Sequence, residues 1–177
     1  GVNVGIGTDA STCSDGLNMF EAMRMAAYVS RIHQPDPDYW LSAKDTLLMA
    51  TERSAKALGL EDQIGRIAPE FKADLVFIDV RAVQYVPLNN PRRQIIFQEN
   101  GSGVKDVMVG GKFIVRDRNP VGIDYDDLRD KVNESAARIK QLSAGQETLV
   151  ESLEPLVSKF CVGLSNTELP IDRYIGP

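Results

Sequence analysis

The run Gly1-Val2-Asn3-Val4-Gly5-Ile6-Gly7-Thr8-Asp9 constrains the fold more than any other part of the chain. Val2, Val4 and Ile6 alternate with small or polar residues, which is the period of a β-strand. Branched side chains on one face and glycine on the other suit the wall of a tightly packed barrel, where a strand has neighbours on both sides. At least one of those neighbours is absent from the sequence, so the chain is expected to begin inside a fold. The strand ends in a carboxylate followed by the small residues Ala10 and Ser11. At the C-terminal ends of parallel barrel strands the side chains converge on one mouth, and Asp9 would project there. It could bind a divalent metal and take a proton from a water that the metal acidifies. It could equally cap the following loop as an Asx turn, and the pattern alone leaves both readings open.

A catalytic metal needs about three protein ligands and one open position. The chain has one histidine, His33, which stands beside Pro35 in a polar loop with no second histidine at helical or hairpin spacing. A surface role is the expectation for it. If Asp9 is a ligand, its companions therefore lie on sequence outside these 177 residues.

Beyond the first strand, Asn18 is placed to cap a helix, with Glu21 reaching back as in a capping box. Met19, Ala22, Met23, Ala26 and Val29 make its apolar stripe, and the methionines from Met19 to Met25 are read as core packing. The stretch from His33 to Asp38 breaks this helix, and Ser42 with Asp45 opens another that runs towards Gly59. The period then falls to two. Ala73–Val80, Gln94–Gln98 and Val104–Val115 read as strands, the last folded into a hairpin at Gly110-Gly111. Past Asp124 the helical period returns, with Leu128, Val132, Ala136, Ile139 and Leu142 on one stripe. A further helix carries Leu149, Leu153, Leu156 and Phe160, with Pro155 either kinking it or sitting in its first turn. Residues 165–177 show no periodicity and are expected on a surface or across a subunit contact.

Other chemical candidates are weaker. Asp15-Gly16 reads as a turn, with a contact near the site possible through its closeness to Asp9. Cys13 has no neighbouring base or cation to make a thiolate, so a small buried side chain is expected. Arg92-Arg93, beside Asn89-Asn90-Pro91, reads as a solvated loop, and Gly101-Ser102-Gly103 lacks the strand-loop-helix setting of a phosphate loop.

Composition excludes several classes. Twenty Lys and Arg stand against 25 Asp and Glu, a formal charge of -5, so nothing draws the chain to nucleic acid or anionic lipid. No apolar run approaches the ~20 residues that cross a bilayer. The first residues lack the basic-then-apolar order of a signal peptide, and a cytoplasmic protein is expected. Cys13 and Cys161 are far apart in sequence, so two reduced thiols are expected rather than a disulfide.

Gly7-Thr8-Asp9, Leu17–Arg24, Ala50-Thr51 with Ser54-Ala55 and Ala57-Leu58-Gly59, Ile64–Pro69 and Lys72–Val76 occur in an order that resembles the C-terminal part of the amidohydrolase superfamily. The resemblance is nearest to its guanine deaminase, S-adenosylhomocysteine and methylthioadenosine deaminase, and atrazine-type chlorohydrolase group. It implies an α/β fold: the last strand and helices of a TIM-type (β/α)8 barrel over residues 1–62, part of a small β-sandwich over 63–122, and C-terminal helices and a tail over 123–177. It also implies that Asp9 binds a single divalent metal, zinc or iron, and shuttles a proton as hydroxide attacks the ring carbon that bears the leaving group. The implied partners are an aminated purine, pyrimidine or triazine, the missing N-terminal part of the barrel, and further copies of the same chain in a homo-oligomer. The implied enzyme is a hydrolase of carbon-nitrogen bonds, and this chain alone is expected to be inactive. Two other readings stay open: a non-catalytic assembly protein that keeps the fold without the metal, and a cyclic-amide hydrolase of the same superfamily. Glu70 departs from the pattern, because a glycine is commoner after the proline, and a left-handed backbone there would cost about 1 kcal/mol.

Overall fold

The computed structural model describes residues 1–32 and 35–167, and His33 lies outside them. The chain divides after Val121 into two compact units.

In the first unit the opening residues run to Asp9 and join no strand ladder among the described residues. The expectation placed at least one neighbour of this strand outside the sequence, and among the described residues it is the backbone of Ile6 that bonds, to the segment 49–54. The Ile6 N–H donates to the Met49 carbonyl at 3.0 Å, and Ser54 Oγ lies 3.2 Å from both the Ile6 nitrogen and its carbonyl oxygen. Asn3 Nδ2 donates to the Arg53 carbonyl at 2.9 Å. Gly5 is required by this approach, since a Cβ there would stand 2.6 Å from Ser54 Oγ and 3.0 Å from Ser54 Cα.

Helix α1 is a single turn, Ser11–Ser14. Helix α2, Met19–Val29, starts where expected: Asn18 Oδ1 accepts from the N–H groups of Phe20 at 3.0 Å and Glu21 at 3.4 Å. Its inward face is Met23 and Ala27, whereas Met25 and Val29 are exposed. Ser42 opens α3, Ala43–Ala50, by accepting from the Asp45 N–H, and its hydroxyl donates back to the Asp45 carboxylate at 2.5 Å. The helix expected to run on to Gly59 is broken at Thr51, whose hydroxyl turns back to the Leu47 carbonyl at 2.7 Å, and resumes as α4, Glu52–Ala57.

A correction concerns Gln94–Gln98, expected as a strand. These residues lie in or just beyond helix α5, Pro91–Phe97, capped by Asn90, whose side chain accepts from the Arg93 N–H at 3.1 Å. An Asn cap followed by Pro at the first helical position is a helix start, and it outweighs the β propensity of Ile95-Ile96-Phe97. Arg92 and Arg93 are exposed, but in the first turn of α5 rather than in a loop. Ile96 packs with Met23 and Ala27 to form the core, with Ile6, Met19, Phe20, Leu47 and Phe97 around it. The opening segment, α2, α3 and α5 thus share one apolar centre.

The remainder of this unit is one antiparallel sheet in the order β1-β2-β3-β4, with β1 Leu75–Ile78, β2 Val104–Val109, β3 Lys112–Arg116 and β4 Asn119–Pro120. Leu75 pairs with Met108 and Val109 with Lys112, across a hairpin turn in which Gly110 and Gly111 have φ of 55° and 80°. The described residues contain no second sheet to make a sandwich with it.

The second unit holds α6, Tyr125–Ser143, capped by Asp124, and α7, Glu147–Ser165, with Pro155 inside the helix. Both helices form as the period indicates, yet no residue of either is buried, so their apolar stripes face solvent. Residues 168–177, most of the expected tail, lie outside the described residues. No helix is long and apolar enough to cross a membrane, among the described residues.

Candidate active site

Asp9 ends the opening segment with φ 59°, a left-handed conformation that Asp tolerates better than most residues. Its side chain is exposed, and Oδ1 accepts the N–H of Ala10 at 2.8 Å. That bond reaches the next residue, one short of an Asx turn, which bonds two residues on. The other carboxylate oxygen accepts nothing among the described residues.

Two more left-handed residues follow, Asp15 at φ 48° and Leu17 at φ 45°. Three such residues between positions 9 and 17 concentrate backbone strain, since each costs of order 1 to 3 kcal/mol and persists only where its surroundings hold it. The loop is held at both ends. Ser54 and Met49 fix Ile6 on one side. On the other, Asn18 caps α2 and donates through Nδ2 to the Asn100 carbonyl at 2.9 Å. Asp15 is exposed at the turn. Cys13 was expected to be a small buried side chain, and is exposed instead, because its one-turn helix packs under no other element. Cys13 and Cys161 are both free thiols.

A cleft of about 630 Å³ adjoins this loop, walled by Gly5, Ile6 and Thr8 on one side and by Asn18, Glu21 and Met25 on the other. Asp9 does not line it. A second cleft, of about 800 Å³, is lined by Tyr28, Arg31, Arg93 and Phe97 among others and shares no residue with the loop. Arg31 stands 5.3 Å from the centres of the Tyr28 and Phe97 rings, packed as a cation on aromatic faces.

Among the described residues no three of His, Cys, Asp and Glu are grouped to hold a metal ion. Asp9 fits a metal centre as one oxygen donor, with an exposed carboxylate whose second oxygen accepts no bond among the described residues.

Sequence reasoning missed one cluster. Glu99 is fully buried, and five donors converge on its carboxylate. Oε2 accepts the Tyr85 hydroxyl at 2.6 Å and Gln84 Nε2 at 3.3 Å. Oε1 accepts the N–H groups of Asn100 at 3.0 Å, Gly101 at 2.7 Å and Gly103 at 3.0 Å. Burial pushes the Glu99 carboxyl up, but these donors outweigh it, and the net shift is below the ordinary value of 4.5. The Tyr85 hydroxyl is pushed well above its ordinary value, by burial first and then by the bond to Glu99. Gly101-Ser102-Gly103 is the turn wrapped around this carboxylate, and a Cβ at Gly103 would stand 2.3 Å from Oε2. The available signal was a lone acid two residues after the apolar run Ile95-Ile96-Phe97 and two before the glycine-rich turn Gly101-Ser102-Gly103.

Residues 1–114 match the model of the amidohydrolase family, and the chain belongs to that family. It is 35% identical over 139 residues to the 5-methylthioadenosine/S-adenosylhomocysteine deaminase of Acetivibrio thermocellus, covering 78% of this chain and 32% of that enzyme. To the S-triazine hydrolase of Gordonia rubripertincta it is 36% identical over 118 residues, 67% of this chain and 24% of that enzyme. Among solved structures it is similar to an adenosine deaminase from Xanthomonas campestris with bound zinc, with TM-score 0.75 and 34% identity over 79% of this chain and 32% of the other. It is also similar to a zinc complex of an atrazine chlorohydrolase from Arthrobacter aurescens, with TM-score 0.70 and 30% identity over 75% and 29%. The chain thus spans about a third or less of the length of these relatives. They are deaminases and triazine hydrolases, and the two solved structures carry zinc.

Proposed function

We propose that this chain is the C-terminal portion of a metal-dependent amidohydrolase that removes an amino group, or a chloride, from a nitrogen heterocycle by hydrolysis. Asp9 is its one contribution to the metal centre and its proton acceptor. The observation that carries this reading is the carboxylate of Asp9, exposed in a left-handed, doubly anchored loop with one oxygen free, inside the segment matched by the family. Zinc is the expected ion, with iron as the alternative, because similar structures hold zinc. When bound, the ion would acidify a water and make it a nucleophile at neutral pH. The part of this chain in that chemistry is to present Asp9: one carboxylate oxygen binds, and the carboxylate accepts the proton the water gives up and returns it to the leaving group. The remaining ligands come from outside residues 1–177, and this chain by itself is inactive.

The test is a comparison of the intact protein with its Asp9→Asn variant on a panel of aminated and chlorinated purines, pyrimidines and triazines. Ammonia or chloride release by the parent, reduced at least a thousandfold in the variant, is expected. Activity within tenfold of the parent would remove Asp9 from the mechanism.

A further inference from the structure

We infer that Glu99, some ninety residues beyond the candidate site in sequence, is a positioning residue that holds the far end of the Asp9 loop through the turn 100–103 and Asn18. The inference rests on the reading of Asp9 as a metal ligand.

The connections run through consecutive hydrogen bonds. The buried carboxylate gathers the N–H groups of Asn100, Gly101 and Gly103, which sets the turn. A turn so fixed presents the Asn100 carbonyl to Asn18 Nδ2 at 2.9 Å. The same Asn18 uses its Oδ1 to cap α2, so one side chain joins the turn to the helix that closes the loop. A second tie lies farther along α2, where Arg24 Nη2 donates to the Glu99 carbonyl. Arg24 Nε is buried with no partner among the described residues, so the guanidinium accepts an unmet donor to make this bond. On the opposite side of the turn Arg118 Nη1 donates to the Ser102 carbonyl, joining it to the end of the sheet.

The stretch that begins at Asp9 contains three left-handed residues, and strain of that kind persists only where both ends are fixed. Ser54 fixes the near end with its own side chain. Asn18 ties the far end to the turn 100–103, which Glu99 organises.

The experiment uses the intact protein and three variants: Glu99→Gln, Asn18→Asp and, as reference, Asp9→Asn. Asn18→Asp keeps an acceptor that can cap α2 and replaces the donor to Asn100 with a carboxylate oxygen that the Asn100 carbonyl repels. The readouts are zinc affinity by chelator competition, amide hydrogen exchange over residues 9–21, and thermal midpoint. Glu99→Gln and Asn18→Asp should each weaken zinc roughly tenfold to a hundredfold, the range for residues that orient a ligand. Exchange over residues 9–17 should quicken in both, while Phe20 and Glu21 stay capped in Asn18→Asp, and the midpoint should fall less in Asn18→Asp than in Glu99→Gln. Unchanged zinc affinity in Asn18→Asp, with affinity lost in Asp9→Asn, would overturn the positioning role alone, including the case where Glu99→Gln fails to fold. Unchanged affinity in Asp9→Asn would overturn the ligand reading and this inference with it.

Discussion

Asp9 and Glu70 share a backbone conformation and differ in what it serves. Both are left-handed, at φ 59° and 69°. At Asp9 the conformation turns the chain sharply where a side chain is offered to solvent. At Glu70 no hydrogen bond among the described residues accounts for it. Glu70→Gly is therefore expected to stabilise the intact protein by about 1 kcal/mol, the cost of a left-handed non-glycine residue. A shift of the urea midpoint to higher concentration would show it, and no shift would mean that the turn is not strained. The sequence carried both residues plainly: a carboxylate at the end of an alternating run, and a glutamate after a proline where glycine is the rule. Glu99 was not legible in the same way, because its partners Tyr85, Gln84 and Gly103 come together only once α5 is a helix.

At the scale of elements, what could be read locally was read correctly. The caps at Asn18 and Ser42 and the Gly110-Gly111 hairpin depend on neighbours a few residues away, and each forms. What failed was the contest between Asn90-Pro91 and the β-prone residues after it, together with the break at Thr51, where a hydroxyl competes with the helix ladder. Two expectations belong here. The carboxyl of Glu99 has a folded-state value below its ordinary one of 4.5, so its contribution to stability is complete above about pH 4.5. That contribution is lost as the pH falls through the lower folded value. Glu99→Gln should therefore be less stable than the parent at neutral pH and should approach it as the pH drops, in denaturation curves from pH 7 to 3. A constant difference across that range would contradict the role of the charge. In α7, Pro155 removes one N–H from the helix ladder, so Pro155→Ala should raise helix stability by up to about 3 kcal/mol. Circular dichroism on heating would register this as later loss of helical signal, and an unchanged melting curve would mean that the ring costs the helix little.

For the whole molecule, the family match over residues 1–114 and the absence, among the described residues, of any group of three metal-binding side chains point the same way. On the proposed reading, a chain that spans about a third of its relatives' length and offers Asp9 to the site makes a metal centre only with ligands from beyond residues 1–177. Its membership of the amidohydrolase family was legible because the matching residues lie in short, ordered motifs. Its sheet topology was not, since that depends on what lies alongside in space. The most direct measurement is the zinc content of the intact protein after exhaustive dialysis, in parallel with its Asp9→Ala variant. A ratio near one zinc per chain in the parent, falling well below one in the variant, is the expected result. Equal ratios in the two, or a parent that holds no metal after zinc is added back, would contradict the account.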